Sequence, residues 1–169
     1  MADLHVSWDD YHASIERLAR LVHESGWQFN QIICIARGGL RVGDMISRIF
    51  DLPLAILSTS SYTGEAGTVR GEITVAEQIT MTSEHLGDRV LVADDLVDSG
   101  ITLEVVRDTI AQRYPHVQAL RTAVIWHKAC SKFKPDYAAL YLPDDPWIHQ
   151  PFERYDLMHP NDLLKDVGA

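Results

Sequence analysis

The apolar positions near the N-terminus follow the period of a helix. Four apolar residues recur at helical spacing: Tyr11, Ile15, Leu18 and Val22. Ser7, with Asp10 three residues later, resembles a capping box, and Gly26 is a typical helix stop. The pattern predicts a first helix that starts after Ser7, ends near Gly26 and packs its apolar face inward.

Short apolar runs alternate with further helical segments along the rest of the chain. The runs predict strands at residues 32–36, 54–57, 90–93, 122–126 and 137–141, and a weaker strand at 73–75. Helical spacing recurs through Val42, Ile46 and Ile49, and again from about Gly100 to Arg113. Because strands that alternate with helices form parallel sheets, we expect an α/β fold with a mostly parallel twisted sheet flanked by helices.

The chain length predicts a single domain. The 169 residues lie near the usual size of one domain and can bury a sizeable core, so we expect residues 1–169 to fold together. The turn-rich segment from Pro143 to Pro160 is too irregular for this core. We expect it to form a small C-terminal hood or flap, mainly residues 142–160.

Composition narrows the possible partners and the location. The formal charge of −9 at pH 7 disfavours general binding to nucleic acid or anionic membranes. No stretch approaches the ~20 apolar residues of a membrane span, and the N-terminus does not resemble a signal peptide. We therefore expect a cytoplasmic protein in which Cys34 and Cys130 are reduced thiols. His127 and the other histidines show no metal-ligand spacing and are expected to be structural or solvated.

The most informative segment is residues 90–102, with the sequence VLVADDLVDSGIT. Asp94 and Asp95 follow an apolar strand, so we expect them at its carboxyl end, where open α/β sheets hold ligands. Their oxygens can accept hydrogen bonds from the hydroxyls of a ribose cis-diol. The turn at residues 98–102 then offers two hydroxyls, a glycine and the N–H groups of a starting helix, which suit a phosphate. The segment predicts a ribose phosphate ligand.

Two other interpretations explain less of this segment. An acidic pair after an apolar strand also occurs in receiver domains, but there it closes the first strand, whereas here it lies past mid-chain with no later strand-ending Asp. A solvated acidic loop with a Ser or Thr helix cap would explain residues 98–102 alone. It would not explain the strand, the acidic pair and the turn in this order.

Residues 90–102 resemble the phosphoribosyl pyrophosphate (PRPP) motif of type I phosphoribosyltransferases. Other segments follow the order found in the bacterial xanthine-guanine family: Ile32–Leu40, Ser60–Tyr62, Lys128 and Asp145–Phe152. The resemblance extends from about Val6 to Glu153. It implies the type I phosphoribosyltransferase fold and an enzyme of purine salvage. Such an enzyme transfers the 5-phosphoribosyl group from PRPP to N9 of guanine, xanthine or hypoxanthine, and gives the nucleoside monophosphate and pyrophosphate.

The resemblance also implies which residues hold PRPP. These are Arg37, Gly38, Ser61, Tyr62, Asp94, Asp95, Asp98, Ser99, Gly100, Ile101 and Thr102. Mg²⁺ is the implied cofactor, with Asp94 and Asp95 as its ligands. Asp98 and Arg70 would be catalytic. Asp98 would accept the purine proton at N7, and Arg70 would reach pyrophosphate from a loop at residues 60–71 that closes over PRPP. The turn at Arg37 and Gly38 would hold the leaving group, with a cis peptide bond between these two residues.

Base recognition is implied for Lys128, Trp147 and Ile148. Trp147 would stack on the purine ring, backbone groups of Trp147 and Ile148 would meet its edge, and Lys128 would donate to the 6-oxo oxygen. Adenine would instead present an amine to this donor, so we expect it to be rejected. The expected partners are PRPP and a 6-oxopurine, and the family suggests a homo-oligomer, either a dimer or a tetramer.

Two alternatives stay open at this point. A PRPP-binding regulator that acts on RNA or DNA would keep residues 90–102, but it would need a basic face and would not need Lys128 and Trp147. A phosphoribosyltransferase for another base would share residues 90–102 but not the segment at Trp147 and Ile148.

Overall fold

The structure is a computed structural model that describes residues 3–61 and 73–164. In chain order, its helices and strands are β1 (Leu4–His5), α1 (Trp8–Glu24), β2 (Gln31–Ala36), α2 (Leu40–Phe50), β3 (Leu54–Ser61), β4 (Ile73–Val75), β5 (Arg89–Val97), α3 (Ile101–Arg113), β6 (Ala119–Lys128), β7 (Tyr137–Leu142) and β8 (Ile148–His149). Two 3₁₀ helices follow, Glu153–Tyr155 and Pro160–Leu164. Two compact units are present: Ser14–Asp145, and the described residues on either side of it.

The first helix has the predicted cap and buried face. The Ser7 hydroxyl accepts a hydrogen bond from the backbone N–H of Asp10 at 3.1 Å, and the Asp10 carboxylate accepts one from the Ser7 backbone N–H at 3.3 Å. This reciprocal pair is the capping box. The four apolar residues that predicted the helix are all fully buried: Tyr11, Ile15, Leu18 and Val22.

The larger unit is built on a six-stranded sheet in the order β4-β3-β2-β5-β6-β7. All neighbouring strands pair in parallel except β4, which is antiparallel to β3 at one edge. The prediction of a mostly parallel α/β sheet is therefore confirmed. The weak strand predicted at residues 73–75 is the antiparallel edge strand.

Helices cover both faces of this sheet. Cys34 of β2 faces α2, because a Cβ added to Gly43 of that helix would press against its side chain. The neighbouring residues Ile33 and Ile35 point the opposite way and join Leu103 and Val106 of α3 in one buried apolar cluster. Because both faces are covered, β5 can be apolar at consecutive positions over residues 90–93, all of which are buried.

Two strands are longer than their apolar runs predicted. The run at residues 90–93 predicted the end of β5 at Ala93, but β5 continues through Asp94 and Asp95 to Val97. Strand β3 likewise continues to Ser61. The backbone of β5 still pairs with β6 in this stretch, with Val97 opposite His127, so polar side chains do not end the hydrogen-bond ladder. The acidic pair therefore lies within β5, close to its carboxyl end.

The smaller unit contains a two-stranded parallel sheet. Leu4 and His5 of β1 lie opposite Ile148 and His149 of β8. Beside it, the rings of Tyr11 and Phe152 meet edge to face with 5.7 Å between their centroids. The boundaries of a C-terminal hood at residues 142–160 stay a prediction. Among the described residues, no helix combines the length and apolar character needed to cross a membrane.

Candidate active site

The carboxyl ends of β2 and β5 bring the glycine turn and the acidic pair together. A Cβ added to Gly39 would lie 2.6 Å from the Ala93 carbonyl oxygen, and one added to Gly38 would lie 2.5 Å from Oδ1 of Asp95. A side chain at Gly39 would collide with backbone atoms, whereas one at Gly38 would require the Asp95 carboxylate to move. The turn of residues 37–39 therefore lies directly against the end of β5. The sequence predicted that this turn and the acidic pair would share one edge of the sheet.

The cis peptide bond lies one residue earlier than the resemblance implied. It joins Ala36 to Arg37, so the expectation for the bond between Arg37 and Gly38 is wrong. Strand β2 ends at Ala36, so the cis bond directly follows the strand and opens the glycine turn. No proline marks this bond in the sequence, so no local signal could have placed it.

Asp94 is the buried member of the acidic pair. Only 8% of the residue is exposed, and its Oδ1 accepts a hydrogen bond from the backbone N–H of Asp95 at 2.9 Å. Burial, and after it the neighbouring Asp95 carboxylate, raise the pKa of Asp94 well above its usual range. A buried carboxylate beside a second one favours the binding of hydroxyl donors or of a cation.

Asp94→Asn is expected to raise the stability of the protein at neutral pH. The Asn oxygen can still accept from the Asp95 N–H, while the buried charge is removed. A carboxyl whose pKa is raised by folding costs stability as pH rises from its unfolded pKa through its folded pKa. The gain in Tm should therefore be largest at neutral pH and disappear below about pH 3.9, where the wild-type carboxyl is protonated in both states.

Thermal unfolding at neutral and acidic pH tests this expectation. The matched control is Glu16→Gln, which neutralises an exposed carboxylate on α1 and should leave Tm nearly unchanged. A Tm of Asp94→Asn below that of wild type at neutral pH would show that the buried charge of Asp94 does not destabilise the fold.

Residues 98–102 form the predicted turn at the start of α3. Gly100 precedes the helix with φ +87°, and the Ser99 hydroxyl accepts a hydrogen bond from the Ile101 N–H at 3.4 Å. A Cβ on Gly100 would lie 2.8 Å from the Ser131 hydroxyl, so both the backbone angle and the space require glycine. The first N–H groups of a helix have no partner within it, and they make this turn a suitable anion site.

Asp98 lies beside a buried lysine. Nζ of Lys128 is 3.7 Å from Oδ1 of Asp98, and the Lys128 side chain is 9% exposed whereas that of Asp98 is 60% exposed. Lys128 is the last residue of β6, where the strand end brings it to the same edge as β5. A carboxylate and an ammonium group therefore lie side by side next to the turn of residues 98–102.

Cys130 is a contact of Asp98 that the sequence did not indicate. Its thiol donates a hydrogen bond to Oδ1 of Asp98 at 3.1 Å. This bond is the main cause that raises the pKa of Cys130 to about 11, so the residue is a neutral thiol donor at neutral pH. Both cysteines are free, as predicted. The contact joins residues 32 positions apart, and spacing along the chain could not reveal it.

The loop after β6 closes one side of the site. The backbone N–H of Lys132 donates to the Ser99 carbonyl at 3.2 Å, and that of Cys130 donates to the Asp145 carboxylate at 3.0 Å. A cavity of about 630 Å³ lies here. Its lining residues are Ile73, Asp98, Ser99, Ile101, Glu104, Cys130 and Lys132.

Comparison with known proteins identifies the family. The model of the phosphoribosyl transferase domain matches residues 7–157 of the chain. The chain belongs to the phosphoribosyltransferase family. It is 28% identical over 164 residues to a xanthine-guanine phosphoribosyltransferase of Gluconobacter oxydans, covering 96% of this chain and 91% of that protein. It is also 28% identical over 151 residues to the protein of that name from Idiomarina loihiensis, covering 89% and 86%.

Solved structures of phosphoribosyltransferases share the fold. The xanthine-guanine-hypoxanthine phosphoribosyltransferase of Helicobacter pylori superposes with a TM-score of 0.75 at 26% identity, covering 97% of this chain and 99% of that one. A purine phosphoribosyltransferase from Pyrococcus horikoshii gives a TM-score of 0.70 at 26% identity, covering 88% and 92%. The expected type I fold and the expectation of a transferase enzyme are thus confirmed.

Part of the predicted PRPP site of this phosphoribosyltransferase lies outside the described residues. These are Tyr62, Arg70 and the loop around them, as well as the side chain of Ser61. The backbone of Ser61 is described and pairs with Ile73 of β4. The proposed loop contacts with PRPP, and the catalytic role of Arg70, therefore stay predictions.

The two residues predicted to meet the purine ring belong to the smaller unit of the phosphoribosyltransferase. Trp147 is 59% exposed, and the side chain of Ile148 is buried. Leu4 and Val6 donate their backbone N–H groups to the carbonyls of Trp147 and His149, at 2.8 and 3.0 Å. In a parallel ladder this pattern directs the peptide groups of Ile148 to the outer edge of β8. Their contact with a base stays a prediction.

Proposed function

We propose that this phosphoribosyltransferase transfers the 5-phosphoribosyl group of PRPP to N9 of guanine, xanthine or hypoxanthine in purine salvage. One observation carries the choice of base: the Lys128 ammonium lies 3.7 Å from the Asp98 carboxylate. A 6-oxopurine has O6 and N7 side by side on one edge. Lys128 fits O6 as a donor and Asp98 fits an N7 proton as an acceptor. The xanthine-guanine names of two relatives support the same substrate class.

The PRPP half of the proposal depends on the two turns at the carboxyl ends of β2 and β5. The 5′-phosphate would bind the N–H groups of residues 100–102 and the hydroxyls of Ser99 and Thr102. The ribose hydroxyls would donate to Asp94 and Asp95. The pyrophosphate would meet the turn of residues 37–39, where Arg37 offers a guanidinium suited to bidentate contact.

Mg²⁺ is the proposed cofactor, with Asp94 and Asp95 as the residues that would hold it. Carboxylate oxygens are ligands that Mg²⁺ prefers. Burial and the neighbouring Asp95 carboxylate raise the pKa of Asp94, and a bound dication would counter this rise by favouring the ionised form. When bound, the ion would neutralise part of the charge of the leaving pyrophosphate.

The protein residues then have separate tasks in the transfer. As the bond from C1′ to the pyrophosphate oxygen breaks and the bond from N9 to C1′ forms, positive charge develops on the ribose. The carboxylates at Asp94 and Asp95 stabilise that charge. Asp98 accepts the proton from N7, so that the purine is neutral in the product. Lys128 holds O6 and thereby orients N9 toward C1′.

A product assay tests the proposed function. The protein is incubated with PRPP, Mg²⁺ and one base at a time, and the nucleotides are separated by chromatography. The expected products are GMP, XMP or IMP from the 6-oxopurines, with adenine, uracil and orotate giving little. A preferred pyrimidine or adenine would show a transferase for another base. Turnover of no base, together with tight binding of RNA or DNA, would instead support a PRPP-binding regulator.

Lys128→Ala is expected to lower kcat/KM for the 6-oxopurines by about ten- to hundredfold. A hydrogen bond to a charged group contributes roughly 1.5–3 kcal/mol, and about 1.4 kcal/mol corresponds to a tenfold change in rate. Adenine should stay a poor substrate, so the discrimination between oxo and amino bases should shrink. Steady-state kinetics with each base measure both effects.

The matched control for Lys128→Ala is Lys134→Ala, which removes an exposed lysine and should leave all base kinetics close to wild type. If Lys128→Ala also left guanine, xanthine and hypoxanthine kinetics unchanged, Lys128 would have no role in base recognition. The homo-oligomeric state, which the family resemblance suggests, and the cytoplasmic location, which the sequence composition suggests, stay proposals.

A further inference from the structure

The two-stranded sheet of the smaller unit gathers two histidines and a carboxylate. His5 of β1 lies opposite His149 of β8, and the two rings are stacked with 4.4 Å between centroids and 8° between planes. Oδ2 of Asp3 is 3.3 Å from Nε2 of His149. One ligand atom from each of the three residues lies within 4.8 Å of the other two. None of these residues has a task in the proposed transfer reaction.

A second carboxylate orients one of the histidines. Nδ1 of His149 donates to Oε2 of Glu153 at 2.9 Å, and Oε1 of Glu153 accepts a hydrogen bond from Nε1 of Trp147 at 3.1 Å. With Nδ1–H engaged in this way, Nε2 of His149 faces Asp3. Histidines that bind metals have this arrangement, in which a carboxylate behind the ring fixes the tautomer and leaves the other nitrogen for the ion.

We propose that Asp3, His5 and His149 bind a late first-row divalent ion, of which Zn²⁺ is the leading candidate. The ion would replace the proton that Nε2 of His149 shares with Asp3. Two imidazoles and one carboxylate favour Zn²⁺, Ni²⁺ or Co²⁺ over Mg²⁺, which prefers oxygen ligands alone. Three protein ligands would leave a fourth, tetrahedral position for water.

The distances need one local adjustment to suit such an ion. Ligand atoms at ~2.0–2.1 Å from a tetrahedral ion are roughly 3.3 Å apart, a separation that Asp3 and His149 already have. The His5 ring must turn its edge out of the parallel stack to complete the set. Rotation about χ2 of histidine is broad, so this turn needs no change of the backbone.

Metal titration of the full-length chain without a polyhistidine tag tests the proposal. After treatment with a chelator, the protein is titrated with Zn²⁺ in a calorimeter and with Co²⁺ by visible absorption. We expect binding of one ion per chain at these residues, and Mg²⁺ in excess should not displace it. His149→Ala, Asp3→Asn and His5→Phe should each weaken Zn²⁺ binding at least tenfold. Glu153→Gln should weaken it by about ten- to hundredfold, the usual effect of losing such a supporting carboxylate.

Two features keep the metal test decisive. His5→Phe retains a ring that can stack on His149, so a loss of affinity there does not reflect loss of the fold, and thermal unfolding checks this for every variant. His85→Ala removes an exposed histidine whose Nε2 lies 3.9 Å from Glu84, and it should bind Zn²⁺ as wild type does. Absence of Zn²⁺ and Co²⁺ binding, or binding that survives all three ligand substitutions, would overturn the proposal.

Discussion

Asp98→Asn is expected to lower kcat for nucleotide formation by about 10²–10⁴-fold, the usual contribution of general acid–base catalysis. The Asn oxygen can still accept the Cys130 thiol hydrogen bond, so the local geometry should persist. The side chain is 60% exposed, so losing its charge should cost the fold little. What the amide cannot do is accept the purine proton. The Kd for PRPP should therefore change far less than kcat.

Steady-state kinetics and calorimetric titration with PRPP and Mg²⁺ separate these two effects. Glu104→Gln is the matched control, because it neutralises another carboxylate of the same cavity that the proposed mechanism does not use. This variant should keep kcat near the wild-type value. Equal losses of PRPP affinity and turnover in Asp98→Asn would argue against a role of Asp98 in proton transfer.

The double substitution Asp94→Ala with Asp95→Ala is expected to weaken PRPP binding by about 10²–10⁴-fold. Each carboxylate would lose a hydrogen bond that contributes roughly 1.5–3 kcal/mol, and about 1.4 kcal/mol corresponds to a tenfold change. The fold should survive, because the ladder between β5 and β6 is made by backbone groups and the buried charge of Asp94 opposes stability.

Calorimetry with PRPP, combined with thermal unfolding, measures both parts of the second prediction. A control with Asp9→Ala and Asp108→Ala removes two exposed carboxylates and should bind PRPP as wild type does. Unchanged PRPP binding by a folded Asp94, Asp95 double variant would show that these carboxylates do not hold the ribose.

Local pattern was enough to predict the strands, the first helix and the two turns that meet at the sheet edge. Consecutive apolar residues at 90–93 indicate a strand covered on both faces, and the glycines at 38, 39 and 100 indicate turns. The end of β5 was predicted too early, since the polar pair at Asp94 and Asp95 is the usual sign of a strand end. Its backbone partner on β6 is not visible in the local sequence.

Local sequence patterns could not predict the contacts between segments that are distant along the chain. Cys130 is separated from Asp98 by a whole helix and strand, and a cysteine in a loop carries no sign of its partner. His5 and His149 approach because β1 pairs with β8, two strands of two residues each that leave almost no periodic signal. The ribose phosphate site at Asp94, Asp95 and the turn of residues 98–102 could be predicted from residues 90–102 alone. The predicted roles of Asp98 and Lys128 toward the base came only from the resemblance, which supplied the order of the segments.

The most direct test of the proposed site is a crystal structure of the protein with GMP. We expect the phosphate on the N–H groups of residues 100–102 and the ribose hydroxyls within hydrogen-bond distance of Asp94 and Asp95. We expect O6 about 3 Å from Nζ of Lys128, with N7 facing Asp98. GMP bound away from these residues, or with its O6 edge turned from Lys128, would contradict the proposed site.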